Sequence, residues 1–126
     1  MARIRSYTAF DVGFVYFRDV DDAGHIYGLV GETGQKYREA IRRVDTHVLH
    51  ITDAIAERAA HGEDWLVVLA TDHGQLDEGG HGGASARERE AWVVAWSPNG
   101  TIPEWPEEIA PAGLAGMMLQ ARLKPQ

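Results

Sequence analysis

The feature that most constrains the fold is the stretch from Gln35 to Gly62, QKYREAIRRVDTHVLHITDAIAERAAHG. Its large apolar residues fall at Tyr37, Ile41, Val44, Val48, Ile51 and Ile55. Spacings that alternate between four and three put these side chains on one stripe of a long amphipathic helix. Thr33 is placed to cap its start, and Gly62 follows the last periodic turn as its stop. Apolar runs flank the helix on both sides. Before it, DVGFVYFRDV (residues 11–20) mixes β-branched and aromatic residues and reads as a buried strand; after it, WLVVL (residues 65–69) reads as a strand buried on both faces. Strand, helix and strand in this order make a βαβ unit, whose handedness rule lays the two strands parallel in one sheet. The expected fold class is therefore α/β, a partial parallel sheet with one βαβ crossover helix. His47, His50 and Asp45 fall off the apolar stripe and read as solvated helix positions.

Each predicted strand runs into a polar, glycine-containing segment. The first ends in DDAGHIYG, where Asp21 and His25 stand four residues apart around Gly24. On a helical turn, or in a glycine loop, such a pair can grip one cation. The second ends in ATDHGQLDEGGHGG, which delivers Asp72 and His73 where a parallel strand opens onto its ligand crevice. Gly74, Gly79, Gly80, Gly82 and Gly83 let the chain turn back and bring His81 towards them. Parallel pairing would set both clusters on one rim of the sheet. The ligand types are imidazole and carboxylate, a set of borderline hardness that suits zinc. A metal-free acid-base site is the weaker reading, because no clear nucleophile stands beside these groups.

The remainder of the chain is plainer. Residues 1–10 read as a short helix or a tail, Ser85 to Glu90 as a solvated loop in preference to a charged helical turn, and AWVVAW (residues 91–96) as a third strand closed by Pro98, Asn99 and Gly100. TIPEWPEEIAP is expected to be irregular and AGLAGMMLQARL (residues 112–123) to be a short apolar helix, with Met117 and Met118 as core filler.

At 126 residues the chain reads as a single domain. It contains no cysteine, so disulfides, thiolate metal sites and cysteine nucleophiles are excluded. The net charge of -7 argues against constitutive nucleic-acid binding, which needs clustered Lys and Arg. No stretch is apolar enough to span a membrane, and no signal peptide is evident after Arg3 and Arg5. The expected location is cytoplasmic.

D-x-x-G-H at Asp21 to His25, then D-H-G at Asp72 to Gly74, then G-x-H-G-G at Gly79 to Gly83, in this order and with the long helix after the first, resemble the alkaline phosphatase superfamily and most closely its type I phosphodiesterase/nucleotide pyrophosphatase branch. The likeness runs from about Asp11 to Trp96. It implies an alkaline-phosphatase-like core, zinc as cofactor, and a phosphorylated small molecule or nucleotide as substrate. It also implies that Asp21, His25 and His81 hold a first metal, and that Asp72 and His73 form part of a second. In that family the nucleophilic Thr or Ser and a further aspartate precede the D-x-x-G-H segment, and Thr71 occupies an ordinary strand position of the motif. The resemblance thus implies the C-terminal part of such a catalytic domain, metal-binding but lacking its nucleophile, or a non-catalytic metal-binding subunit. A sheet without its other strands would also offer an edge for a second copy or a partner chain.

Overall fold

The computed structural model describes residues 11–98, 102 and 104–123; residues 1–10, read above as a short helix or tail, lie outside them. Two helices come first, α1 (Asp19–Tyr27) and α2 (Gly34–Ala60). Then follow β1 (Val67–Ala70), a single helical turn α3 (Ala86–Arg89), β2 (Val93–Trp96) and α4 (Pro111–Leu123).

The long helix forms where its periodicity predicts. Thr33 stands at the N-cap position, although its hydroxyl makes no capping hydrogen bond. At the other end Gly62 takes φ +93, a left-handed conformation that ends the helix and that other residues adopt at a cost. The buried face is slightly rotated from the predicted stripe: Ala40, Ala54, Ile55, Arg58 and Ala59 are buried, while Ile41 is 43% exposed. The core is accordingly built of small residues. Ala23 and Gly24 of α1 are buried, as are Gly34 and Ala40 of α2. Alanine and glycine carry little side-chain bulk, so helices meeting through them can approach closely. α1 packs on α2, β1 on β2, and no other pair of elements is in extensive contact among the described residues.

Two expectations are corrected. Residues 11–18 form no strand. Val12, Phe14, Val15 and Tyr16 are exposed, because β-propensity alone cannot hold an extended segment whose backbone groups have no ladder partner. No parallel sheet forms among the described residues: β1 pairs antiparallel with β2, in the register Val67↔Trp96 to Ala70↔Val93. Thr71 extends the pairing, its N–H donating to the Trp92 carbonyl at 3.1 Å and its Oγ1 accepting from the Trp92 N–H at 3.1 Å. Residues 65–69, expected to be buried on both faces, are half-buried, since the two-stranded sheet carries no covering layer of helices. The chain is thus a mixed α/β protein with a small antiparallel sheet.

The joint between α2 and the sheet is polar. Arg58, only 5% exposed, donates from Nε and Nη2 to Glu63 at 2.6 and 2.7 Å, and Trp65 Nε1 donates to the same carboxylate at 2.9 Å. The guanidinium also lies 5.4 Å from the centre of the Trp65 ring.

Ser85 to Glu90, expected to be a solvated loop, holds the helical turn α3. Ser85 Oγ accepts from the Glu88 N–H while the Glu88 carboxylate accepts from the Ser85 N–H, a capping box. Of the segment expected to be irregular, residues 102 and 104–110 are so and Pro111 opens α4, while Thr101 and Pro103 lie outside the described residues; the C-terminal apolar helix forms as expected, with Met117 and Met118 half-buried on it.

Candidate metal centre

Asp21 and His25 lie one turn apart on α1, so the helix itself sets them on one face. Their meeting with His81 comes from the segment between β1 and α3, which folds back onto α1. The Leu29 N–H donates to the Asp77 carbonyl at 2.9 Å, and within the returning segment Leu76 N–H donates to the Gly80 carbonyl at 3.0 Å. Gly79 is pressed on the backbone of α1 so closely that a Cβ there would overlap the Gly24 carbonyl oxygen, and its φ is +84. Glycine is required at this position for both reasons.

The result is a convergence of three side chains. His25 Nε2 stands 3.5 Å and His81 Nε2 3.3 Å from the same oxygen, Asp21 Oδ1. One ligand atom from each of the three lies within 4.8 Å of the others. The Asp21 and His81 side chains are 28% and 29% exposed, so the site is shallow and partly open to solvent. His73 stacks on His81, ring centres 3.7 Å apart, and His25 stands 5.0 Å from His81 at a steep tilt.

Asp72 and His73 form a looser pair, with His73 Nε2 3.6 Å from Asp72 Oδ1 and the Asp72 side chain 69% exposed. Nδ1 of His73 lies 2.9 Å from the Gly74 carbonyl. A carbonyl only accepts, so in this contact the ring donates from Nδ1, and Nε2 is the atom that faces the Asp72 carboxylate. Among the described residues, the Asp21, His25 and His81 set is the one that brings three ligand atoms together, and Asp72 with His73 adjoins it through the stacked rings. His47, read as a solvated helix residue, is exposed and stacks loosely on Phe17, ring centres 6.1 Å apart.

Three residues around the centre are absent from the ligand reading of the sequence. Gln75 donates from Nε2 to Asp21 Oδ1 at 3.2 Å and to the Asp21 carbonyl at 3.4 Å. Nothing in a glycine-rich run singles out such a glutamine. Glu88 holds the far side of the His81 turn, accepting from the Gly83 N–H at 2.8 Å and from the Ser85 hydroxyl at 2.5 Å. The Ser85 hydroxyl, foremost, and the Gly83 amide hold its carboxyl below the usual range. S-x-x-E at Ser85 to Glu88 was the signal available for it. Tyr37 of α2 completes the surroundings: partial burial, and secondarily the Asp21 carboxylate, push its phenol up.

This donor set fits a cation. A carboxylate oxygen and two imidazole nitrogens already face one point, and they are the ligand types that zinc takes. Residues 2–92 match the family model described as type I phosphodiesterase/nucleotide pyrophosphatase.

The chain belongs to that phosphodiesterase family.

Similar curated proteins include the catalytic subunit of GPI ethanolamine phosphate transferase 3 from Homo sapiens, 31% identical over 98 residues, and its Mus musculus counterpart, 30% identical over 100 residues. The matches cover 78% and 79% of this chain but 8% of each relative, so the chain spans a small part of the length of these proteins. No solved structure matches it. The phosphodiesterase-family segment thus takes in α1, α2 and the convergent Asp21, His25 and His81.

Proposed function

We propose that this chain carries the metal-ligating part of a zinc-dependent phosphoester-processing site, with Asp21, His25 and His81 as the ligands of one ion and Asp72 and His73 as partial ligands of a second. The observation that carries this reading is the convergence of Asp21 Oδ1 with the Nε2 atoms of His25 and His81 from two segments far apart in sequence. Membership of the phosphodiesterase family supports it, as does the likeness to phosphoethanolamine transferases. When bound, zinc supplies Lewis-acid stabilisation of the charge that develops on phosphoryl oxygens.

The residues of this chain do the holding. Asp21 contributes the negative charge of the first site and is hydrogen-bonded by Gln75; His25 and His81 bring their Nε2 atoms to the same carboxylate oxygen; His73 Nε2 and Asp72 extend the donor set outward. Of the nearby hydroxyls, Thr71 Oγ1 accepts from the Trp92 N–H and Ser85 Oγ donates to Glu88. The family resemblance puts the nucleophile ahead of the D-x-x-G-H segment, so it is assigned outside this loop. The substrate class is a phosphodiester or pyrophosphate of a nucleotide or other small molecule, or a phosphoethanolamine donor.

The test joins metal content to turnover. The purified chain is assayed for zinc by elemental analysis and for hydrolysis of a chromogenic phosphodiester with and without added zinc. Zinc bound with no turnover fits a metal-ligating part that needs its nucleophile from elsewhere. Turnover without any dependence on zinc would sink the reading. Calorimetric titration supplies the site-specific control: His81→Ala should weaken zinc binding and His47→Ala should not, and equal affinity of the two variants would refute the ligand assignment.

A further inference from the structure

We propose that Gln75 is a positioning residue that aims the Asp21 carboxylate at the metal. The inference rests on the ligand assignment above and extends it to a residue that binds no metal itself. The geometry that carries it is a fork: Gln75 Nε2 lies 3.2 Å from Asp21 Oδ1 and 3.4 Å from the Asp21 backbone carbonyl. One amide group thereby ties the carboxylate to its own main chain. A carboxylate on a single χ1–χ2 stem is otherwise free to swing, and Asp21 begins with 28% of its side chain exposed.

The oxygen that Gln75 holds is the one both histidines face. Oδ1 can accept from Gln75 and still direct lone-pair density at a cation, because a carboxylate oxygen has more than one acceptor direction. Fixed ligands bind metal better than mobile ones, and hydrogen-bond partners of metal ligands commonly act in this way.

A second, independent observation shows that space is reserved for this amide. Gly24 is buried on α1, and a Cβ built there would overlap the Gln75 amide. The φ of Gly24 is not in the left-handed region, so backbone conformation does not demand glycine at this point. The space that a Cβ would take there is filled by the end of the Gln75 side chain, which lies across the helix. The D-x-x-G-H spacing therefore contains, besides its two ligands, the seat for the group that orients the first of them.

The test uses Gln75→Met, which keeps length and apolar bulk but removes the donor. The variant should bind zinc about ten- to a hundredfold more weakly than the unsubstituted chain. With cobalt(II) in place of zinc, its visible absorption band should shift, since a released carboxylate changes the ligand geometry. The melting temperature of the metal-free variant should stay close to that of the unsubstituted chain. His81→Ala runs alongside. If His81→Ala loses zinc affinity and Gln75→Met retains it with an unchanged cobalt spectrum, the positioning role is overturned while the ligand assignment stands. If neither variant changes zinc binding, both fall. Should Gln75→Met fail to fold, the unsubstituted chain decides the matter: the Gln75 side-chain amide resonance, followed by NMR during zinc titration, moves with the midpoint of the His25 and His81 ring signals if the inference holds. An unmoved amide overturns it.

Discussion

Replacing Gly79 by alanine tests how the returning loop is seated on α1. Two effects oppose each other at any glycine of positive φ. Alanine is strained there by about 1–2 kcal/mol, and it gains back roughly 0.5–1 kcal/mol by restricting the unfolded chain. Gly31, at φ +72 with open space around its missing Cβ, isolates this balance, so Gly31→Ala should cost about 1 kcal/mol. Gly79, at φ +84, carries the same balance and adds an overlap of its Cβ with the Gly24 carbonyl oxygen. Neither partner of that overlap is a flexible side-chain end, so the loop must lift. Lifting it loses the 2.9 Å hydrogen bond from Leu29 N–H to the Asp77 carbonyl and loosens the neighbouring backbone bonds. At about 0.5–1.5 kcal/mol for each, Gly79→Ala should cost about 2–4 kcal/mol in total. The two variants then differ by about 2 kcal/mol, roughly a thirtyfold change in the unfolding equilibrium. Urea denaturation of both, followed by circular dichroism, measures the difference. Zinc titration adds a second readout, because the lifted loop carries His81 away from Asp21: Gly79→Ala should bind zinc more weakly and Gly31→Ala should not. Equal destabilisation of the two variants, within about 0.5 kcal/mol, would refute the seating of Gly79 on α1.

Other outcomes follow from the same contacts. The folded Glu88 carboxyl titrates below its unfolded value, so its stabilising effect is complete above about pH 4.5 and is lost as the pH falls through the lowered folded value; Glu88→Gln should flatten the acid side of a melting-temperature profile recorded between about pH 3 and 7. An unchanged profile would show that the capping box contributes nothing to the acid response. Ile55, 6% exposed, is the largest of the buried apolar residues, and Ile55→Ala should cost about 2–4 kcal/mol in denaturant titrations. Zinc at a hundredfold excess over its dissociation constant should stabilise the chain by roughly 2.7 kcal/mol, reversed by a chelator and absent in His81→Ala, as read by calorimetric melting.

What the sequence disclosed depended on whether the signal was local. The helix from Gly34 to Ala60 was legible because six apolar residues repeat at helical spacing, a pattern that needs no knowledge of partners. The capping box at Ser85 and Glu88 was equally local, yet a turn followed by charged residues in place of an apolar run read as solvated loop. Sheet assignment failed for the opposite reason. Val12 to Phe17 has the composition of a strand, but a strand exists only with a neighbour, and the strand that does pair, β1, found its partner later in the chain in β2. The convergence of Asp21, His25 and His81 was anticipated through parallel strands sharing a rim. It arises instead from a loop laid on a helix, with Gly24 and Gly79 permitting the approach. Gln75 was illegible, since its role depends on a contact with Asp21 across 54 residues of chain.

That long separation has a bearing on folding as well as on binding. The helix pair and the strand pair are separate packing units, and the loop between β1 and α3 is what brings the later one back to the earlier. An ion shared by α1 and His81 would tie together residues roughly sixty apart in the chain. Unlike a disulfide it holds only the folded state, so it joins two distant segments of a chain that has no cysteine and releases them when the metal is removed.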